Sequence, residues 1–287
     1  MSSSNAVKAL DKCPPREDYT IGLICLLYTE QTAAIMMLDE RHPDIEKPSN
    51  DPNAYNLGSI GEHNVVIACL PPRQPEGGGS NVAAIAVWMT STFPGIRLCL
   101  LVGIASGVRR RVKLGDVVVG MPDEVSPGVI EWEQPGEHGK AKSFKDSKNL
   151  SSKYLVSEKL WDPSTPDNGD RKTEKRGING REPKIYYGLI VTTNGLIHEG
   201  AFDRTLAINS QRALCVDTKA TDVRTNLPFV VIRAIWGCVG ERHDICEHWQ
   251  GPAAAAAAAF AKEVLGMLQG SEVADLPTIQ SMGTSIL

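Results

Sequence analysis

Apolar residues fall along the chain in two alternating patterns, unbroken runs and one-sided spacings. Tyr19-Thr-Ile-Gly-Leu-Ile-Cys-Leu-Leu27 is a continuous apolar run rich in β-formers, the pattern of a strand buried on both faces. The segment Glu30 to Asp39 then sets Ala33, Ala34, Met37 and Leu38 on one side, which predicts a helix. Further strands are predicted over Asn64 to Leu70, Arg97 to Gly103, Gly115 to Met121, Tyr186 to Thr193, Ala213 to Val216 and Phe229 to Trp236. Helices are predicted over Asn81 to Phe93, Gly200 to Ser210 and Gly251 to Leu268. The last carries an alanine run whose small side chains let it lie close to a neighbour. Strands alternating with helices predict an α/β protein with a sheet covered on both faces.

Residues 133 to 185 break this rhythm, because Gly, Pro, Lys, Asp and Ser dominate and only Tyr154 to Trp161 shows helical spacing. Too few apolar residues are present there for a separate core, so the stretch reads as a loop-rich insertion. The expected organisation is a polar leader (1–17), a single domain (18–269) containing that insertion, and a tail (270–287).

Composition narrows the function. Across 287 residues, 30 Lys+Arg face 34 Asp+Glu, which removes a global attraction for polyanions and makes nucleic acid an unexpected partner. The seven cysteines form no C-x-x-C pair and read as buried thiols in a reducing compartment. His243, Cys246 and His248 are loosely spaced and read as a solvent loop rather than a metal site, and His198 carries no assigned role. No apolar leader or long apolar run is present, so the expectation is a cytoplasmic protein away from membranes. No cofactor or metal is expected.

Ligands in open α/β sheets sit beyond the carboxyl ends of the strands. Glu30 follows the first strand, Gly77-Gly-Gly-Ser80 opens a helix, and Gly103-Ile-Ala-Ser-Gly107 follows a strand. Glycines permit close backbone approach to a ligand, yet neither stretch is a dinucleotide fingerprint or a phosphate loop. Arg109-Arg-Arg111 comes next and reads either as an anion lure or as a solvated basic turn.

In this order the elements resemble the nucleoside phosphorylase and nucleosidase superfamily, in particular the fungal phosphorylase-like domain and, more distantly, methylthioadenosine/adenosylhomocysteine nucleosidase. The residues that carry the resemblance are Tyr19 to Cys25 with Glu30, Leu57 to Leu70, Ser91-Thr-Phe-Pro94, Val102 to Val108, Leu114 to Val119 and Val230 to Ile235. It implies a three-layer α/β/α domain around a mixed sheet, usually in a homo-oligomer. It also implies that Glu30 helps activate the nucleophile, that Gly103, Ala105 and Ser106 approach the phosphate or its equivalent, and that Thr193, Leu196 and Ile197 form the purine floor. Arg233, in the last matching strand, joins the ligand-binding candidates. Two positions depart from the family. The Met-Glu pair that grips ribose reads Thr218-Lys219, and the Asp that protonates the leaving base reads Gly237.

The departures are chemically severe. An acid for a departing purine is worth ~100 to 10,000-fold, and glycine supplies no proton. Lys219 offers sugar hydroxyls a donor where the family offers an acceptor. Asp217, Asp222, Glu241 and Asp244 are the acids near enough to substitute. Strand alternation, however, points Asp217 away from the face of Thr218, as a buried structural acid. What remains is Glu30 as a base or partner of Lys219, with Trp236 as an apolar wall. Each has a structural alternative: Trp236 as core, Lys219 as a surface residue, Glu30 as a helix-start acid.

The expectation is therefore a phosphorylase-fold protein repurposed as a small-molecule enzyme of fungal specialised metabolism, cyclising or isomerising a non-nucleoside, with Glu30, Lys219 and Asp217 as its catalytic candidates. One alternative is an active phosphorylase or nucleosidase using shifted acids. The other is a non-catalytic ligand-binding pseudoenzyme, against which a chain ending soon after its terminal helix would count.

Overall fold

The computed structural model describes residues 13–69, 82–121, 128–132, 181–193, 213–218, 229–240 and 246–284. The apolar run after the leader forms β1 (Tyr19–Ile24), which pairs in parallel with β4 (His63–Cys69) and β5 (Leu98–Gly107). β4 is the second arm of a hairpin whose first arm is β3 (Ala54–Ile60), edged by the two-residue β2 (Glu40–Arg41). A short, charged outer strand blunts the open edge of a sheet.

On its other side β5 runs parallel to β10 (Phe229–Cys238), which is antiparallel to β6 (Val117–Gly120). β6 and β7 (Val129–Trp132) both run parallel to β8 (Ile185–Thr193), and β8 runs parallel to β9 (Ala213–Asp217). β9 then returns antiparallel to β5 at Ser106 and Gly107. The pairings β5–β10–β6–β8–β9–β5 thus close a ring of strands. Leu101, Ala105, Val118, Ile190, Cys215, Val231 and Ile235, drawn from all five strands, share one buried cluster.

Helices cover both faces beside this ring. Ala33 and Ala34 of α1 (Tyr28–Met36) and the stripe Ala253, Ala254, Ala257, Ala258 and Ala261 of α3 (Gln250–Met267) pack on Leu23, Ile67, Leu100 and Val102. On the opposite face α2 (Val82–Thr92) packs Ile85, Ala86 and Met89 on Val66, Ala68 and Leu101. The result is a mixed α/β structure, as expected from the alternation of runs and spacings.

Some expectations changed. Gly103 to Gly107 is not a turn after a strand but the last half of β5, because β10 pairs along its whole length. The chain turns instead at Val108 to Arg111, where the Arg111 N–H donates to the Val108 carbonyl. The segment after Leu268 forms α4 (Gly270–Ala274) and α5 (Ile279–Thr284). Val273 and Ile279 are buried, and the Ile279 N–H donates to the Ile96 carbonyl, so this tail is tied to the body. The predicted helices Tyr154 to Trp161 and Gly200 to Ser210, and the run Gly77 to Ser80, lie outside the described residues.

Candidate active site

β5 is longer than β1, and this mismatch creates the site. β1 accompanies one edge of β5 only as far as Leu101, and β9 joins at Ser106. Between them the edge forks, which is where a ligand crevice forms in a parallel sheet. Glu30, third residue of α1, enters this fork: its Oε1 accepts the Ile104 N–H at 2.9 Å. Its Oε2 accepts the N–H groups of Leu26 at 2.8 Å and Leu27 at 2.9 Å. A helix-start Glu reaching back to the residue before its helix satisfies donors that the helix leaves open. The carboxylate lies against Gly103, where a Cβ would come within 2.4 Å of Oε1, so any side chain there would displace the carboxylate.

Opposite Gly103 on β10 stands Arg233, 1% exposed. Its Nε donates to Asp217 Oδ2 at 2.6 Å, and its Nη1 donates to the Leu101 carbonyl at 2.7 Å and the Ile232 carbonyl at 3.0 Å. Asp217 is 2% exposed and ends β9. Breaking such a buried pair costs far more than an exposed one, since it strands a charge in low dielectric. Burial works against the Arg233 charge, but Asp217 and Glu30 outweigh it and hold the guanidinium protonated. Burial also pushes the Glu30 carboxyl above its ordinary range, with Arg233 and the N–H groups of Ile104 and Leu27 opposing and Asp217 adding to the rise. Cys25, buried beside Glu30, is pushed well up by its own burial and then by that carboxylate.

One step further along the strands, Ser106 is half-buried and lies between Val216 of β9 and Gly237 of β10. The structure thus brings the Gly103 to Gly107 segment, the end of β9 with half-buried Thr218, and the Trp236-Gly237 pair onto three adjacent strands. Thr193 is buried at the end of β8, one residue past Thr192, which is opposite Asp217. Ala105 faces the buried ring cluster rather than a surface. Trp236, 8% exposed, packs in the core cluster that also holds Ile104, Ala234 and Cys246. Lys219, Leu196 and Ile197 lie outside the described residues, as do His198, Asp222, Glu241, His243 and Asp244.

Cys246, which its flanking histidines suggest lies in a solvent loop, belongs instead to the core beside Gly237. It is buried, and a Cβ at Gly237 would lie 3.3 Å from its Cβ and 3.6 Å from its Sγ. The apolar residue that precedes it, Ile245, was the available signal. His248 stacks at a tilt on Trp249 in a 3-10 turn. Among the described residues no helix is long and apolar enough to cross a membrane.

No family model matches the chain. A nucleotide-binding leucine-rich repeat (NLR)-like protein of Hyaloscypha variabilis is 31% identical over 299 aligned residues, covering 87% of this chain but 29% of that protein. The chain therefore spans less than a third of that relative's length. Solved structures align along almost their whole length. The futalosine hydrolase of Helicobacter pylori has a TM-score of 0.60 at 14% identity, over 88% of this chain and 100% of its own. The methylthioadenosine/adenosylhomocysteine nucleosidase of Neisseria meningitidis has a TM-score of 0.57 at 18% identity, over 87% and 99%. A structure described as a putative nucleosidase of the same kind from Borrelia burgdorferi, bound to adenine, has a TM-score of 0.56 at 16% identity, over 87% and 100%. With its forked β5, its ring of strands and its helices on both faces, the chain has the nucleoside phosphorylase and nucleosidase fold.

Proposed function

We infer that the chain is a small-molecule-binding protein on the nucleosidase scaffold that does not cleave N-glycosidic bonds. The observation that supports this most is at Gly237. The family resemblance assigns that position to the acid that protonates the departing base; glycine has no proton to give, and buried Cys246 stands 3.3 Å from where a Cβ would project. Glu30 and Asp217, the two carboxylates that the described residues bring to the fork, are also committed. Glu30 ties the β1–α1 corner to β5 through three backbone N–H groups, and Asp217 ties β9 to β10 through Arg233. They keep the fork in shape. The NLR-like relative supports a recognition role, since this segment there is one part of a much longer protein. The protein is further proposed to work in the cytosol as a homo-oligomer.

The test is a panel of purine and pyrimidine nucleosides, with and without phosphate, read for free base and for a ligand-induced rise in melting temperature. Stabilisation by a panel member with no base released is the expected result. Phosphate-dependent or water-dependent release over many turnovers would overturn it.

A second reading, a repurposed enzyme that cyclises or isomerises a non-nucleoside, is favoured by the surroundings of Glu30. Burial pushes this carboxyl upward, which favours its holding and passing on a proton, and among the described residues Oε1 accepts the Ile104 N–H where a carboxylate oxygen has room for two donors. Lys219 would assist it as a cation. Under this reading Glu30→Gln abolishes turnover of the identified substrate while leaving its binding measurable; unchanged turnover would remove it.

A further inference from the structure

The turn after β5 carries a basic surface that neither reading of the site uses. Residues 109–116 and 181–184 contain six cations and two acids, in a chain whose formal net charge is −4. Two anchors hold the turn, the first of them buried. Asp116, fully buried, accepts the Lys113 N–H at 2.8 Å, the Lys184 N–H at 3.0 Å and Arg181 Nη2 at 2.6 Å. Arg111 Nη1 donates to the Ala213 carbonyl at 2.7 Å, and the Val108 N–H to the Leu214 carbonyl. The turn is thereby pinned to β9, while Arg109, Arg110, Lys113 and Lys184 stay exposed.

Two observations separate this surface from an ordinary solvated turn. Arg110 has φ 70°, the single non-glycine positive φ among the described residues. Glycine would take that conformation without steric cost, so an arginine is held there against its backbone preference. Ile185, directly after Lys184, is 37% exposed and among the few large apolar side chains left in solvent. Cations beside an exposed isoleucine fit a segment that is both acidic and apolar. A nucleic acid would call instead for cations interleaved with stacking aromatic rings or a groove-entering element.

We propose that the Arg109 to Lys113 turn, together with Lys184 and Ile185, is a docking surface for an acidic, apolar-containing segment of a protein partner. Its charges steer the encounter and Ile185 supplies the desolvated contact. The surface is independent of the fork at Glu30, so it stands whether or not the site binds a nucleoside.

The probe is a fluorescein-labelled peptide of alternating glutamate and leucine, titrated against the purified chain by anisotropy. Octaglutamate, a single-stranded DNA of similar charge and vesicles of anionic lipid serve as competitors. Binding of the alternating peptide is expected to weaken by about tenfold between about 50 and about 300 mM salt. Arg110→Gly is expected to weaken it by about threefold while raising the melting temperature, because it removes an exposed charge and a backbone strain together. Lys184→Glu added to it should bring the loss to about tenfold or more, and Ile185→Ser should weaken the alternating peptide but not octaglutamate. The proposal is overturned if the peptide does not bind, if Arg110→Gly and Lys184→Glu leave its affinity unchanged, or if the DNA or the vesicles bind more tightly than the peptide.

Discussion

At the scale of single residues, the pair Arg233–Asp217 carries the largest consequences. Asp217→Asn keeps the size of the side chain but leaves the guanidinium facing Glu30 alone. It should cost about 3–5 kcal/mol in chemical denaturation, the range for breaking a buried ion pair; a loss near zero would mean the pair is solvated in practice. Glu30 makes a prediction whose sign is fixed by the direction of its shift. Its folded pKa lies above the ordinary Glu value of 4.5, so the folded state holds the proton more tightly than the unfolded chain does. The associated stability is fully present below the ordinary value and is lost as pH rises through the raised one. Glu30→Gln removes that titration, so the stability advantage of the wild type over Glu30→Gln should shrink as pH is raised above 4.5. A constant difference across that range would show that the carboxyl does not titrate there. Gly103→Ala places a methyl group within 2.4 Å of Oε1 and should cost about 1–3 kcal/mol as overpacking, measured by thermal denaturation.

At the scale of elements, the fold rests on one mismatch of length and one stripe of small side chains. β5 outruns β1 and gathers β9 on the edge that β1 vacates, and the fork so made holds Glu30. α3 approaches the sheet on alanines. Ala257→Met would push that helix off Leu100 and Val102 and should cost about 1–3 kcal/mol in urea unfolding; a neutral substitution would mean that α3 is loosely seated. The sequence shows these elements unequally. β1 and α3 are visible because an apolar run and an alanine stripe record burial directly. The second half of β5 is hidden, since Gly103-Ile-Ala-Ser-Gly107 has the composition of a turn and becomes a strand only by pairing with β10, more than a hundred residues away. β2 is hidden for the opposite reason: Glu40 and Arg41 are charged because they lie at an edge, and charge conceals strand pattern.

For the whole molecule, the candidate site was visible in its residue identities and invisible in its bonds. Glu30 stands after a strand end, which a sequence reveals. The N–H groups of Leu26, Leu27 and Ile104 that bind it belong to the backbone and leave no side-chain signature. Asp217 was expected as a catalytic candidate or as a buried structural acid, and its burial against Arg233 follows from the ring of strands, a closure that no local pattern encodes. Cys246 against Gly237 is likewise a contact between a loop and a strand end. It bears on any attempt to rebuild the family's chemistry. Gly237→Asp should destabilise the protein by about 1–3 kcal/mol through overpacking against Cys246, and Cys246→Ala should recover much of that loss; additive losses would place the new carboxylate elsewhere.

We propose that the nucleosidase fold persists here without nucleoside cleavage. Chromatographic measurement of free adenine after incubating the purified chain with methylthioadenosine, adenosylhomocysteine and adenosine, with and without phosphate, tests it most directly. No adenine above the protein-free control is expected. Adenine released over many turnovers, and lost in Glu30→Gln, would contradict it.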